Sequence, residues 1–515
     1  MNESNRIADS LNVIKSYSNI IQTTLGPRSM LKMIIDSRGN IIVTSDGNWI
    51  LREIETNHPI AKSLIDLSKI QDQEIGDGTT SIVILSCEFL KIVEFLIKKN
   101  FHSLQIIGCF FQIIADTIVF LETDLAIRLN NKNFSEYKKL IVSTISTKLS
   151  GRFSRLICEI SLKTLKILNF SKSLDFKKFI KIEKICGGSI KESKVLSGIM
   201  INKDISHPKM KKFLTNAKIL LLDSSIGYQK PESQTYMEVK KNRKCEDIVK
   251  SEENYIIFIC KILKNFNPDI IVTEKSVSDL GLHYLYKEGI TVVQRVKKSD
   301  NHRISKITGG TIVSSVFDLE TSDLGFVKKF FVKKICQENY IFLTNRDKII
   351  SCTILLFGPS RDVLDEIERN LQDALEIVKN INKNPKILPG GGATEMAIEK
   401  FLLKKAGLIK NSNFYIYKSI ALGFEIIPKI LIENCGVSSV SSLNILKYHH
   451  ANDKKFFGID GKNGNILDTR KIGLFESFDS KIQLIKSSLE NCAMLLRVDR
   501  YLKGFSGIKS RSAIK

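Results

Sequence analysis

The chain has little from which to build a stapled or metal-held fold. Ten cysteines are scattered over 515 residues, with no CxxC pair and no Cys/His cluster at zinc spacing, so neither a disulfide scaffold nor a zinc module is encoded. They read as small buried hydrophobes in a reducing compartment. Histidine is sparse at seven, and the adjacent His449 and His450 fall on different faces of a helix, which gives a surface reading and no paired ligands. The opening "MNESNRIADS" lacks the apolar core of a secretory signal. The run "SIVILSCEFLKIVEFLI" is interrupted by Glu88, Lys91 and Glu94, so it does not read as a membrane span. A cytoplasmic protein without a membrane partner is expected.

Acidic residues are also in deficit. Against 78 Lys and Arg stand 55 Asp and Glu, a net charge of +23, which is one mark of a nucleic-acid partner. The lysines, however, run along the whole chain and are not interleaved with aromatics as a base-stacking surface requires. The charge therefore reads as solvated surface, and no specific nucleic acid is expected.

What is present is a large globular composition. With 43% hydrophobic and 26% charged residues over 515 positions, the chain exceeds one core and divides into about two to four domains. From Asn12 to Ile21 the pattern is helical, and "TTLGPRSMLKM" gives a loop and a new helix start with Pro27 suited to a first turn. "MIIDSRGNIIVTSDG" predicts a hairpin around residues 37–40, and helical patterns then run to about residue 168. The middle differs: "AKILLLDSS", "PDIIVTEKSVS", "ITVVQRV" and "GTIVSS" are short strands separated by helical segments, the alternation of an α/β domain. Between the first two lies a charged, then amphipathic stretch at Lys241 to Asn265 that suits a helical projection. After "TILLFG" the pattern returns to helix. The simplest topology inserts an α/β domain into a helical one.

Four Gly/Asp elements fall in the helical halves: "TLGP", "SDG", "GDGTTS" and "PGGGATE". In "GDGTTS", Gly76 and Gly78 can turn backbone N–H groups toward an anion at a helix start. Asp77 would repel that anion unless a cation sits between them, which makes it a candidate Mg²⁺ ligand. An ordinary capping turn uses the same residue types. No GxxxxGK[ST] phosphate loop occurs, so any ATP site uses another cradle.

In this order, the motifs resemble those of the group II chaperonins. The resemblance covers nearly the whole chain, through "TLGPRSMLKM", "TSDGNWILREI", "HPIAKSLIDLSKIQDQEIGDGTTS", "IEKICGG", "GIMINKDISHPKM", "LLDSSIGYQKPESQT", "EIERNLQDAL" and "LPGGGATEMA". It implies a multidomain α and α/β fold. The helical equatorial domain would come from residues 1–141 and 396–515, the small intermediate hinge from 142–210 and 353–395, and the apical domain with its lid projection from 211–352. It also implies an ATP- and Mg²⁺-dependent chaperone subunit in a hetero-oligomeric double ring, with unfolded clients such as actin and tubulin. A weakly hydrolysing structural subunit is the alternative.

Carried over by motif, Gly26, Gly78, Thr79, Thr80 and Ser81 resemble phosphate contacts, and Asp77 the magnesium ligand. Asp46 and Asp373 resemble the two catalytic acids, with Asp373 as general base. Thr147 and Lys148 match a pair reaching the terminal phosphate from the hinge. Gly391 and Gly461 match backbone positions beside the nucleotide, where a side chain would obstruct approach. Glu476 and Lys481 match the ribose end. "FESFDSK" departs from the Glu-Pro pairing usual there, Trp49 is bulky for its position, and the segment before "TLGP" is shorter than in the family, which bears on the seams between subunits.

Overall fold

Helical spacing dominates the two ends of the chain and short β-rich runs its middle, and these regions fold as separate units. In this computed structural model the described residues are 3–35, 39, 41–54, 56, 58–129, 134–145, 153–167, 179–228, 242–345 and 351–498, without the side chains of 3–11, 134–135 and 242–248. One unit comprises Met1–Cys158 with Arg369–Lys515, the other Glu159–Glu368. Both boundaries fall within helices, Ser154–Ile167 and Arg361–Lys383.

The discontinuous unit is built on the helix Thr79–Lys98. Eleven of its residues are buried, from Thr79 to Leu96, and it packs against Glu3–Gln22, Pro59–Glu74, Asn413–Gly423 and Phe478–Leu496. Its Phe89 meets the Phe424 ring edge-on at 5.2 Å. Gly423 permits this approach, since a Cβ there would lie 2.6 Å from Ile92 and 3.0 Å from Phe89. Helix Ser103–Phe120 runs into a π-turn at Leu121–Leu125, and this stretch is the one described segment apolar enough to cross a membrane, at mean hydropathy 2.0. It is a core helix: Ile106, Ile107, Phe110, Ile113 and Ile114 are buried, and its Asp116 pairs with Lys405 at 2.5 Å.

Two local expectations change. No helix starts at Pro27: Met30 N–H donates to Thr23 O at 2.8 Å and Ser29 N–H to Gly26 O at 3.2 Å, closing a loop before the strand Lys32–Ile35. That strand pairs antiparallel with Ile41–Thr44, as the hairpin reading expects, and leaves Met33, Ile35, Ile41 and Val43 exposed. His450 is buried, not on the surface, because its ring nitrogen Nε2 lies 2.8 Å from Phe457 O where the helix Ser439–Ala451 meets the strand Phe457–Ile459. Burial lowers its pKa. Seven of the nine described cysteines are buried, while Cys186 and Cys336 are exposed.

The inserted unit has two sheets. The larger orders its strands as Ile199–Ile201, Glu338–Thr344, Gly325–Ile335, Phe213–Leu222, Ile270–Thr273 and Thr291–Val293, with Ile312–Val313 joined to Phe213–Leu222. The last three strands in that path are parallel, and helices Asn242–Asn265, Asp279–Lys287 and Lys298–Thr308 lie along the same stretch of sequence. Helix Asn242–Asn265 buries Ile256, Ile259, Cys260 and Leu263 in this core and exposes residues 249–254. In the smaller sheet, Cys352–Gly358 pairs parallel with Ile180–Cys186 and antiparallel with Lys194–Leu196. The hairpin Gly325–Ile335 with Glu338–Thr344 is absent from the sequence reading: its "KKFFVKKI" doublets blur strand alternation, and its turn depends on Cys336 at φ 56°.

Phe330, fully buried on that hairpin, anchors the core of the inserted unit. Phe330→Ala should cost about 3–5 kcal/mol. Hydrogen exchange on the full chain would register this as lost amide protection across Phe213–Leu222 and Glu338–Thr344, and unchanged protection would contradict the packing.

Candidate functional site

The cradle is shaped by a buried glutamine. At the end of Pro59–Glu74, Ile75 and Gly76 N–H both donate to Gln71 O at 3.0 and 3.2 Å, and Gln71 Nε2 donates to Asp77 O at 2.9 Å. Gly76 and Gly78 take φ of 75° and 79°, and Gly78 becomes the N-cap of the cradle helix Thr79–Lys98. That cap has no side-chain hydrogen bond and no acid follows in the first turn. The amides of a 20-residue helix thus start uncapped, as an anion site requires.

A second helix start repeats this chemistry. Gly391 and Gly392 take φ of 65° and 78°, and Gly392 caps Ala393–Ala406 without a side-chain bond. A third element brings in an acid: Asp46 N-caps Gly47–Glu53, its Oδ1 accepting Asn48 N–H at 3.3 Å and Thr79 Oγ1–H at 3.2 Å.

These starts face one cavity of about 240 Å³, lined by Gly26, Asp46, Asp77, Gly78, Thr79, Thr80, Ser81, Asp373, Gly391, Gly461, Glu476 and Lys481 among others. The structure therefore brings together twelve of the sequence-predicted site residues from seven separate stretches. Thr147 and Lys148 lie outside the described residues. Two of the glycines are also pressed by neighbouring chain segments. A Cβ at Gly391 would sit 2.6 Å from Ile459 O, and one at Gly461 2.5 Å from the Pro27 ring. Their bareness first serves contact between chain segments around the cavity, and only through that the approach of a ligand.

Charge decides what fits. Among the described residues, five carboxylates line the cavity, Asp46, Asp77, Asp373, Asp460 and Glu476, against two ammonium groups, Lys462 and Lys481. A bare polyphosphate would be repelled despite the helix starts, so the donor set suits a phosphate carried with a divalent cation. Asp77 Oδ1 accepts its neighbour Gly78 N–H at 2.8 Å, and no cluster of three metal-ligating side chains occurs among the described residues. That fits Mg²⁺, which takes one or two carboxylates and completes its shell with phosphate oxygens and water.

At one end lies a group that the sequence reading only half found. Lys481 pairs with Glu395 and, at 2.6 Å, with Glu476. Glu395 sits inside the quoted "PGGGATEMA" yet drew no assignment. Its signal was an acid in the first turn after three glycines. Burial pushes the Glu476 carboxyl up to about 7, with Lys481 opposing and the Glu395 and Asp77 carboxylates adding to the rise. The Lys481 ammonium is raised by Glu395 and Glu476 against its own desolvation.

A helical unit closed from both chain ends, an α/β insertion and an uncapped, acid-ringed anion cradle define a chaperonin subunit, and the chain belongs to the TCP-1/cpn60 chaperonin family, whose model matches residues 17–504. Within that family it is similar to proteins named T-complex protein 1 subunit gamma. It is 41% identical to that of Dictyostelium discoideum, covering 94% of this chain and 93% of the relative, and 41% identical to that of Arabidopsis thaliana over 97% and 91%. The human protein of the same name is 39% identical over 96% and 92%. The segments "KPESQT" (230–235) and "ERNLQDAL" (368–375) point to the same gamma subunit of the eukaryotic cytosolic chaperonin, TRiC.

The raised Glu476 has a consequence for stability. Between about pH 4.5 and 7 the folded chain holds a proton that the unfolded chain releases, so this group's contribution falls as pH rises through that window and is flat above it. Glu476→Gln removes the titration. Urea midpoints measured from pH 5 to 8 should show wild type losing stability relative to the variant up to about pH 7 and parallel curves beyond, whereas parallel curves throughout would refute the assignment.

Proposed function

We propose that this chaperonin subunit binds Mg·ATP in the cradle and hydrolyses it to drive folding of client proteins within a hetero-oligomeric double ring. The observation that carries this reading is the pairing of two uncapped, glycine-started helices with an excess of carboxylates at one cavity. Uncapped amides recruit phosphate, and the carboxylates make recruitment depend on a cation. The amides of Gly78 to Ser81 and the hydroxyls of Thr79, Thr80 and Ser81 would hold the phosphates, Asp77 the Mg²⁺, and Glu476 with Lys481 the ribose end. Bound Mg²⁺ supplies neutralisation of charge on the phosphate oxygens. Asp373 then accepts a proton from the attacking water, while Asp46, fixed by Thr79 and its own helix amide, holds the second acidic position. Thr147 and Lys148 would approach the terminal phosphate.

The exposed apolar hairpin Lys32–Ile35 with Ile41–Thr44 supports assembly with neighbouring subunits, because two strands with this much bare apolar surface are marginal alone. Similarity to the gamma subunits supports a cytosolic setting, and clients such as actin and tubulin are what the chaperonin resemblance implies. On the same ground we assign an equatorial domain to residues 1–141 and 396–515, a hinge to 142–210 and 353–395, and an apical domain to 211–352, with the lid projection near the start of Asn242–Asn265. Asp46, Asp77 and Asp373 at one cavity favour hydrolysis over a purely structural ring position.

Asp77→Ala should weaken Mg·ATP binding by at least the roughly 10- to 100-fold that follows loss of a supporting metal contact. Equilibrium binding at fixed ATP and varied Mg²⁺ would detect it, and an unchanged magnesium dependence would sink the cradle. Asp373→Ala should leave ATP bound and slow the chemical step by on the order of 10² to 10⁴, about 3–5 kcal/mol. Neighbouring subunits would mask that loss in bulk turnover. Single-turnover measurement in a complex whose other subunits lack the corresponding acid isolates this site, and a wild-type rate there would refute Asp373 as base.

A further inference from the structure

The chain's one tryptophan stands beside the proposed chemistry without a part in it. Trp49 lies on Gly47–Glu53, the short helix capped by Asp46. That helix is fixed to the cradle at its first two residues: a Cβ at Gly47 would lie 2.9 Å from Thr80 Oγ1, and Asn48 Nδ2 donates to Asp72 Oδ2 at 2.9 Å. The indole is therefore held on a rigid post. Across from it the Arg369 guanidinium lies over the ring, 5.1 Å from its centroid, with Arg52 at 5.9 Å from the ring centroid as well.

Arg369 is one helical turn before Asp373 on Arg361–Lys383. Beyond Asp373 the helix is already fixed to the cradle, where Glu376 packs on Gly76 and Asn380 Nδ2 donates to Ile75 O at 3.1 Å. Before Asp373 the helix is also anchored, by Lys184 pairing with Asp365 at 2.6 Å and Glu368 at 2.8 Å and by the buried Leu364 and Ile367. The Trp49–Arg369 stack adds a direct tie between the turn that carries Asp373 and the short helix that Asp46 caps, and a flat indole face attracts a guanidinium where an aliphatic side chain does not.

We propose that Trp49 is a positioning residue for hydrolysis: by stacking on Arg369 it holds the turn that carries Asp373 over the cavity. This inference rests on the reading of Asp373 as general base. Small misplacement of a catalytic group is enough to slow chemistry strongly, while phosphate and metal contacts come from other elements, so the effect falls on turnover and not on binding.

The test uses the assembled complex in which the acid corresponding to Asp373 is replaced in every other subunit. Trp49→Leu, which keeps bulk and loses the aromatic face, should slow single-turnover hydrolysis about tenfold with Mg·ATP affinity within about threefold of wild type. Trp49→Phe should recover most of the rate, Arg369→Met should match Trp49→Leu, and the double variant should be no slower than either single one. A wild-type rate in Trp49→Leu, slowing that Trp49→Phe does not relieve, or additive losses in the double variant would each overturn the proposal. Trp49→Phe, which keeps an aromatic face, keeps it testable if Trp49→Leu fails to assemble: it should then hydrolyse near the wild-type rate and Arg369→Met tenfold slower, and equal rates in the two would overturn it. Asp373→Ala in the same complex separates the two readings. If it hydrolyses normally, the general base and the positioning role fall together, and if it is slow while Trp49→Leu is not, only the positioning role falls.

Discussion

Close contact between remote segments at bare glycines is the constraint from which the site follows. Pro27 meets Gly461 and Ile459 O meets Gly391 at distances that a Cβ would not survive, and the tip of Leu431 presses on Gly26. These contacts let loops from the start, middle and end of the sequence share one cavity wall. Helix starts and carboxylates then need only local rules to be correctly placed. Gln71 is the local counterpart: by accepting from two amides and donating to the carbonyl of Asp77 it fixes the turn that two left-handed glycines make accessible.

Electrostatics within that wall oppose the electrostatics of the chain. A molecule of net charge +23 presents, among its described residues, five carboxylates and two lysines to its cavity. Long-range attraction brings polyanions near the surface, while the carboxylates of the lining oppose a bare one. Lys481 does not relieve this, because Glu395 and Glu476 already claim it. The proposed preference for a metal-bound phosphate thus rests on the lining as a whole, not on any single residue.

Much of this was legible in the sequence, and what was not has physical causes. "GDGTT" reads as a helix start, and that helix forms; "PGGGATE", ambiguous between a tight loop and a helix start, opens one as well. The spacing in "SRDVLDEIERNLQDALEIVKNI" gives its helix outright. Asp373 on that helix looks like a solvated residue until the fold turns it to the cavity, so only the family resemblance marked it. The contacts at the glycines were hidden for a related cause: sequence shows bareness but not what presses on it. His450 and the "KKFFVKK" hairpin were lost to tertiary packing, which buried the first against Phe457 and organised the second through a turn residue of positive φ.

The discontinuity of the helical unit carries a cost in time. Its first part ends at Cys158 and its second begins at Arg369, so on the ribosome the apolar faces of Thr79–Lys98 and Ser103–Phe120 emerge long before Phe478–Leu496, their partner, exists. At roughly 5–20 residues per second the intervening stretch of about 200 residues alone takes on the order of 10–40 s to synthesise. The inserted unit, continuous in sequence, has its whole core available within that interval. A component of a folding machine is thus itself a slow, aggregation-exposed nascent chain, whose N-terminal helices need shielding until the far end of the same polypeptide arrives.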